Sequence, residues 1–299
     1  MDDALQVTIL KDNTAARPGV APGHGLAMLV EIGGRRVLFD TGPDDSLVAN
    51  AQALGLSLYP LEAIVLSHGH VDHTGGLAAV LDIVGPVKVV AHPDVFDRTF
   101  AGPEPGELRE IGLPLTRAQY EARGARFALS ALPTPVIPGL LSTGRVPPVH
   151  AEPQLRTGLW RSRAGELRAD DARDDCSLVA QLPGCTVVLT GCAHPGLTNV
   201  LCKVKTIAPE QPPCVVVGGL HLGASSDEQV TQLAREAAEL GVCIMLPCHC
   251  TGARATEVLT ERFAGRVVPV GTGSVIRVHE DGETEVRYPV EVGRAGDHK

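Results

Sequence analysis

The sequence predicts an α/β protein that gathers its histidines at the carboxyl ends of strands, and three observations support this. An aliphatic run, a short histidine-bearing loop and then a helical stretch recur as AIVLSHGHVDH, VKVVAHPDVF, TVVLTGCAHPG, CVVVGGLHLG and CIMLPCHCTG. Short apolar runs closed by Gly or Pro read as buried strands, and the stretches between them carry helical spacing. Hydrophobic residues make up 44% of the chain but aromatics only 3%, so the core is built mainly from Val, Leu, Ile and Ala. In open α/β sheets ligands collect outside the carboxyl ends of strands, so histidines placed there are expected to converge in one crevice.

In order along the chain, LQVTIL and GLAMLVEIGGRRVLFDTG read as strands, with Gly33-Gly34 as a hairpin turn. Helical spacing follows from about Ser46 to Leu54, and then come the five repeats. Residues 133–156 hold six prolines and read as an irregular connection or lid. The charged run RSRAGELRADDARDDC reads as a solvated loop. DEQVTQLAREAAEL has an apolar stripe on one helical face, and Thr251 or Thr256 is expected to cap a helix ending near Phe263. The tail beyond about Val292 is expected to fray.

The formal charge of -9 and the lack of a Lys/Arg stripe argue against a nucleic-acid partner. No apolar run approaches the roughly 18 residues of a membrane span, and MDDALQVTIL is acidic where an export signal is basic. A cytoplasmic protein is expected, acting on a small molecule, with no membrane partner; its oligomeric state is left open. Eight cysteines, all in the second half and without a CxxC framework, are expected to be mostly reduced thiols.

The densest chemistry lies in VLSHGHVDHTGGL, residues 65–77. His68 and His70 sit two apart on a segment leaving a strand, so both rings can reach one ion. Asp72 and His73 open the next helix and can face a second. Imidazole nitrogens with a carboxylate suit zinc and other first-row transition metals, whereas calcium wants more carboxylates. A lone histidine after a strand is usually a satisfied polar residue, but three with an aspartate would be costly to crowd without a shared ligand. The two glycines after Thr74 point to close backbone packing around the cluster.

HxHxDH at 68–73, preceded by VLFDTG at 37–42, resembles the metallo-β-lactamase fold superfamily. More narrowly, HGLAMLVE, GCAHPGLTNVL, GGLHLG and PCHCTG resemble the subgroup named after dihydropterin ribofuranosylaminobenzene phosphate synthase. The resemblance implies an αββα sandwich, two mixed sheets flanked by helices, as a single domain over residues 1–299 with a lid or insertion around 100–175. It implies that His68 and His70 hold a first metal, that Asp72 and His73 hold a second, and that His249 joins the second.

Where many relatives carry a bridging aspartate after the LTG strand, this chain has Cys192, with His194 two positions on. His194 is taken as a ligand and Cys192 as a neighbour, a thiolate bridge being the open alternative. His221 fits a ligand, a proton donor, a substrate contact or a structural residue; with Asp72 it is the catalytic candidate. His24 is placed at the pocket rim. His92 precedes Pro93 and reads as cap-like. Asp40 is expected to orient a ligand imidazole.

Two divalent transition-metal ions are therefore expected, zinc first, with iron or manganese as alternatives. Such a pair activates water, and Asp72 would orient it and relay its proton, giving hydrolysis of a small ester, lactone or phosphoester. The subgroup implies an alternative, a pterin-linked transfer that displaces pyrophosphate. A noncatalytic metal-binding sensor is the third reading. An acidic chain with no flavin domain does not fit the RNA-processing or flavodiiron branches.

Overall fold

The computed structural model describes residues 4–104, 106–150, 158–288 and 290. The first half forms strands β1 (Leu5–Lys11), β2 (Ala27–Ile32) and β3 (Arg35–Phe39), helix α1 (Ser46–Ala53), strand β4 (Ala63–Val65), helices α2 (Val71–Thr74) and α3 (Leu77–Val84), and strand β5 (Val87–Ala91). The middle carries β6 (Arg98–Ala101), β7 (Arg109–Glu110), α4 (Arg117–Ala122), β8 (Ala125–Leu129), β9 (Thr134–Ile137), β10 (Leu140–Ser142), β11 (Leu159–Arg163) and β12 (Glu166–Ala169). The last part runs β13 (Leu178–Leu182), β14 (Cys185–Thr190), α5 (Leu197–Ile207), β15 (Pro213–Gly219), α6 (Asp227–Glu239) and β16 (Ile244–Cys248). It ends with α7 (Ala253–Arg262), β17 (Arg266–Val267), β18 (Val275–Val278) and β19 (Thr284–Arg287).

Eight strands make one sheet, ordered β19-β18-β1-β2-β3-β4-β5-β8, and seven make a second, ordered β17-β16-β15-β14-β13-β10-β9. Both are mixed: β3 to β8 run parallel in the first and β14 to β17 in the second, with antiparallel strands completing each. Side chains alternate across a strand, so each sheet has two apolar faces to bury. Val37, Phe39 and Val65 of the first sheet meet Val187, Leu189 and Val217 of the second in the central core. Leu38, Leu29 and Ile64 point the other way and pack with Leu47 of α1 and Leu77, Val80 and Leu81 of α3. On the far side Val188 and Val216 pack with α5, α6 and α7 through residues such as Val200, Leu233 and Leu259. The expected αββα sandwich is the observed one. Each fully buried Val, Leu or Phe side chain contributes about 1.5–3 kcal/mol.

Local signals explain several boundaries. Gly33 and Gly34, both at positive φ, close the β2–β3 hairpin as expected. Helix α6 is capped by Ser226, whose side chain accepts from the Gln229 N–H while Gln229 reaches back, and Val230, Leu233, Ala234 and Ala237 form its buried stripe. No helix among the described residues is long and apolar enough to cross a membrane.

Three expectations need correction, the expectation of mostly free cysteines is met, and two stretches fall outside the described residues. Residues 133–156 are not wholly irregular, because β9 and β10 pair as an antiparallel hairpin on the edge of the second sheet. Pro135 is tolerated there because an edge strand has N–H groups that need no partner. The charged run 161–176 is not a solvated loop. Its first part belongs to a small antiparallel sheet, ordered β12-β11-β6-β7, and Arg161, Asp170, Asp174 and Asp175 are buried. Arg161 there bonds Asp170 at 3.0 Å, Asp174, and the Asp94 carbonyl at 2.9 Å, so burial is compensated by pairing. Neither threonine caps α7: Gly252 does, at φ 80°, while Thr251 accepts from the Leu220 N–H. Of the cysteines, Cys185 and Cys214 form a disulfide and the other six are free. The tail beyond Val292 and residues 151–156 lie outside the described residues.

Candidate metal centre

Four of the five strand ends that carry histidine loops meet, those of β4, β14, β15 and β16. Asp40 follows β3, Ser67 and His68 follow β4, Cys192 and His194 follow β14, His221 follows β15 and His249 follows β16. The two sheets approach closely here. A Cβ on Gly191 would lie 2.2 Å from Ser67 Oγ, and one on Gly76, in the pair after Thr74, would lie 2.2 Å from the Thr41 carbonyl oxygen. Only glycine fits at either place. Four of the seven non-glycine residues at positive φ among the described residues are at this spot: Asp40, Ala193, His221 and His249. Such strain concentrates where function constrains the backbone.

Hydrogen bonds fix the ring orientations. Asp40, fully buried, accepts from the Ser67 N–H and from Ser67 Oγ, each at 2.7 Å, and from His73 Nδ1 at 2.7 Å. Because the Ser67 hydroxyl proton goes to Asp40, His68 Nδ1, 2.9 Å from Ser67 Oγ, must be the donor in that contact. His249 Nδ1 lies 3.0 Å from Asn13 Oδ1, which also accepts from the Gly25 N–H. His68, His73 and His249 thus have Nδ1 engaged and turn Nε2 inward, the arrangement of metal-binding imidazoles held by outer acceptors.

The inward atoms converge in two groups. His68 Nε2 is 3.0 Å from His70 Nδ1, and the His194 ring centroid lies 4.9 Å from that of His68 and 5.0 Å from that of His70. His73 Nε2 is 3.1 Å from His249 Nε2, and Asp72 Oδ2 is 3.5 and 3.4 Å from those two atoms. All six expected ligands, His68, His70, Asp72, His73, His194 and His249, are therefore brought together. Both ring nitrogens of His194 and the Nδ1 of His221 are buried with no hydrogen-bond partner. Unsatisfied buried donors and acceptors are costly, so these atoms fit an ion or a substrate better than an apolar pocket. The donor set of imidazole, thiol and one carboxylate fits zinc.

Charge follows the same division. Burial pushes the first group toward neutrality, taking His70 down to about 4 and lowering His68 and His194 well below the ordinary value. Burial opposes charge on His73 too, but Asp72 and Asp40 beside it lift it to about 9. Burial likewise opposes charge on Asp72, yet His73, His24 and His249 hold its carboxyl well below the usual range.

The remaining candidates fall where expected or are clarified. His24, with a largely exposed side chain, puts Nε2 3.2 Å from Asp72 Oδ2 at the rim. His92 caps a 3-10 turn at Pro93–Phe96, its Nδ1 accepting from the Asp94 N–H, and stays out of the cluster. His221 stacks beside His194, ring centroids 4.2 Å apart. Cys192 puts Sγ 3.2 Å from His73 Nε2.

Several residues escaped the sequence reading. Asp174 accepts from the N–H of Gly69, between His68 and His70, at 2.9 Å, and Asp175 accepts from the His194 N–H at 3.0 Å. Asp12 accepts from the His249 N–H at 2.6 Å. The only signal for the first two was an Asp-Asp pair just before a strand, which composition reads as surface.

Fold and site together define a class of protein: an αββα sandwich that joins its two sheets through histidines at their strand ends. Residues 20–249 match the Metallo-beta-lactamase superfamily, and the chain belongs to that superfamily. It is 28% identical, over 93% of its own length and 97% of the relative's, to the 7,8-dihydropterin-6-methyl-4-(beta-D-ribofuranosyl)-aminobenzene-5'-phosphate synthase of Methanocaldococcus jannaschii. An uncharacterised protein of the same organism is 30% identical, over 85% of this chain and 94% of that one. Among solved structures, a metal-dependent hydrolase of the beta-lactamase superfamily superposes with a TM-score of 0.80 at 29% identity, covering 92% of this chain and 99% of that chain.

Proposed function

We propose that the protein is a metal-dependent hydrolase of a small-molecule ester, lactone or phosphoester. The observation that carries this reading is the convergence of two ligand groups, His68, His70 and His194 in one and His73, His249 and Asp72 in the other, with Asp72 reaching the rim. Those residues would hold two divalent ions, zinc by their chemistry, supplying Lewis acidity to a carbonyl or phosphoryl oxygen and easing the ionisation of water. Asp72 is the partly open carboxylate of the cluster. Held ionised by its histidine neighbours, it can take a proton at Oδ2 from an attacking water and pass it toward the leaving group. His221, its Nδ1 unpartnered, can donate to the leaving oxygen. We assign substrate selection to the region around 100–175, where the small sheet lies.

The test is reconstitution of metal-free protein with zinc, followed by assay on esters, lactones and phosphoesters. Asp72→Asn should lower kcat at least 100-fold while the fold persists; undiminished turnover would remove Asp72 from the chemistry.

A second reading, a pterin-linked transferase displacing pyrophosphate, is favoured by the near full-length likeness to the synthase. Pyrophosphate released from a pterin methyl diphosphate only when an aryl acceptor is supplied would select it. Release that is independent of acceptor would favour hydrolysis.

A further inference from the structure

We propose that Cys192 is the bridging ligand of the centre, its thiolate shared by both ions; this deepens the metal-centre reading above and rests on it. The ligand atoms of His68, Cys192 and His194 lie within 4.8 Å of one another, and so do those of His73, Cys192 and His249. The sulfur of Cys192 is the one atom common to both groups. It is buried, 3.2 Å from His73 Nε2, at the end of β14 where Gly191 lets the second sheet come up against Ser67 and Asp40 of the first. Nothing else in the two groups spans them in this way: the carboxylate of Asp72 reaches His73, His249 and His24, all on one side.

Cys250 is the rival sulfur, since its ligand atom lies within 4.8 Å of those of Cys192 and His221. Its Sγ instead accepts from the His221 N–H at 3.2 Å and faces the Cys192 carbonyl oxygen at 3.8 Å. Cys250 therefore belongs to the wall behind His221, and Cys192 to the gap between the groups.

The chemistry is consistent. A thiolate sulfur has lone pairs for two ions, and the zinc–sulfur bond of about 2.3 Å lets one atom reach both sides. On loading, the S–H bond breaks, sulfur–metal bonds form and the proton leaves to buffer, with no change of oxidation state. His194 then serves as a ligand of the first group in its own right and does not substitute for a missing bridge.

Cobalt(II) reconstitution tests the assignment, because a thiolate bound to cobalt gives a charge-transfer absorption that imidazole and carboxylate do not. The wild-type protein should take up two cobalt ions per chain and show the band. Cys192→Ser should lose the band and fall toward one ion, Cys192→Asp should keep two ions without the band, and Cys250→Ser should keep both. Cys192→Asp carries the test if the serine variant does not fold. A full band in either folded Cys192 variant, or loss of the band in Cys250→Ser, overturns the bridge while leaving the metal centre standing. Failure of the wild-type protein to bind cobalt at all would remove the metal centre itself.

Discussion

Asp40 sits at φ 59°, a backbone region that costs a non-glycine residue on the order of 1 kcal/mol. There its carboxylate meets the Ser67 N–H and hydroxyl and His73 Nδ1 together, orienting one imidazole directly and a second through Ser67. Asp40→Asn keeps the shape but gives up one acceptor oxygen. Metal affinity should fall about 10–100-fold, read by competition with a chelator; unchanged affinity would show that the rings are held by packing alone. The histidines also set a pH dependence for the metal-free protein. His70, at about 4 in the fold, resists a proton that the unfolded chain accepts near 6.5, so stability is lost as pH falls from about 6.5 to 4. His73, at about 9, binds its proton more tightly in the fold, so its contribution is complete below about 6.5 and lost as pH rises through 9. The urea midpoint of metal-free protein should therefore peak near pH 6.5, and a midpoint still rising between pH 7 and 9 would contradict the assignment for His73.

At the scale of elements, the loop from β4 into α2 and the loop after β14 come from different sheets, yet adjacent carboxylates brace both. Asp174 holds Gly69 and Asp175 holds His194, while Arg161 of β11 neutralises Asp174 from the small sheet. Burial still pushes the Asp174 carboxyl up to about 6. Asp174→Ala would leave the buried Arg161 guanidinium short of a partner and the Gly69 N–H unmet, a loss of roughly 3–5 kcal/mol. Urea unfolding measures it, and a cost below about 1 kcal/mol would show that water or Asp170 takes over.

In the whole molecule the central core between the sheets is apolar, and at the carboxyl ends of the strands the polar side chains of the site tie one sheet to the other. His68, His70, Asp72 and His73 come from the first sheet, and Cys192, His194 and His249 from the second. Ions bound there would link the halves of the sandwich and, being bound by the native state alone, would stabilise it by about 4 kcal/mol at a free concentration 1,000 times Kd. Stripping metal with a chelator should lower the melting temperature by several degrees and restoring zinc should recover it. Equal melting with and without metal would mean that the sandwich does not use the site as a tie.

The α/β class, the αββα layering implied by the resemblance, and the local part of the site are all legible in the amino-acid order. Strand alternation, helical spacing and the tight HxHxDH cluster act over a few residues, so they are legible without coordinates. His194 and His249 were legible because each repeats the pattern of strand, loop and histidine. Only the packing of the sheets buries Arg161, Asp170, Asp174 and Asp175 within the charged run, makes β9 and β10 an edge hairpin, and puts Cys192 between the ligand groups. Asp174 reaches Gly69 across 105 residues and Cys192 reaches His73 across 119. Such pairings depend on how two sheets stack, and a charged or sulfur-bearing side chain carries no local signal of the partner that packing will bring to it.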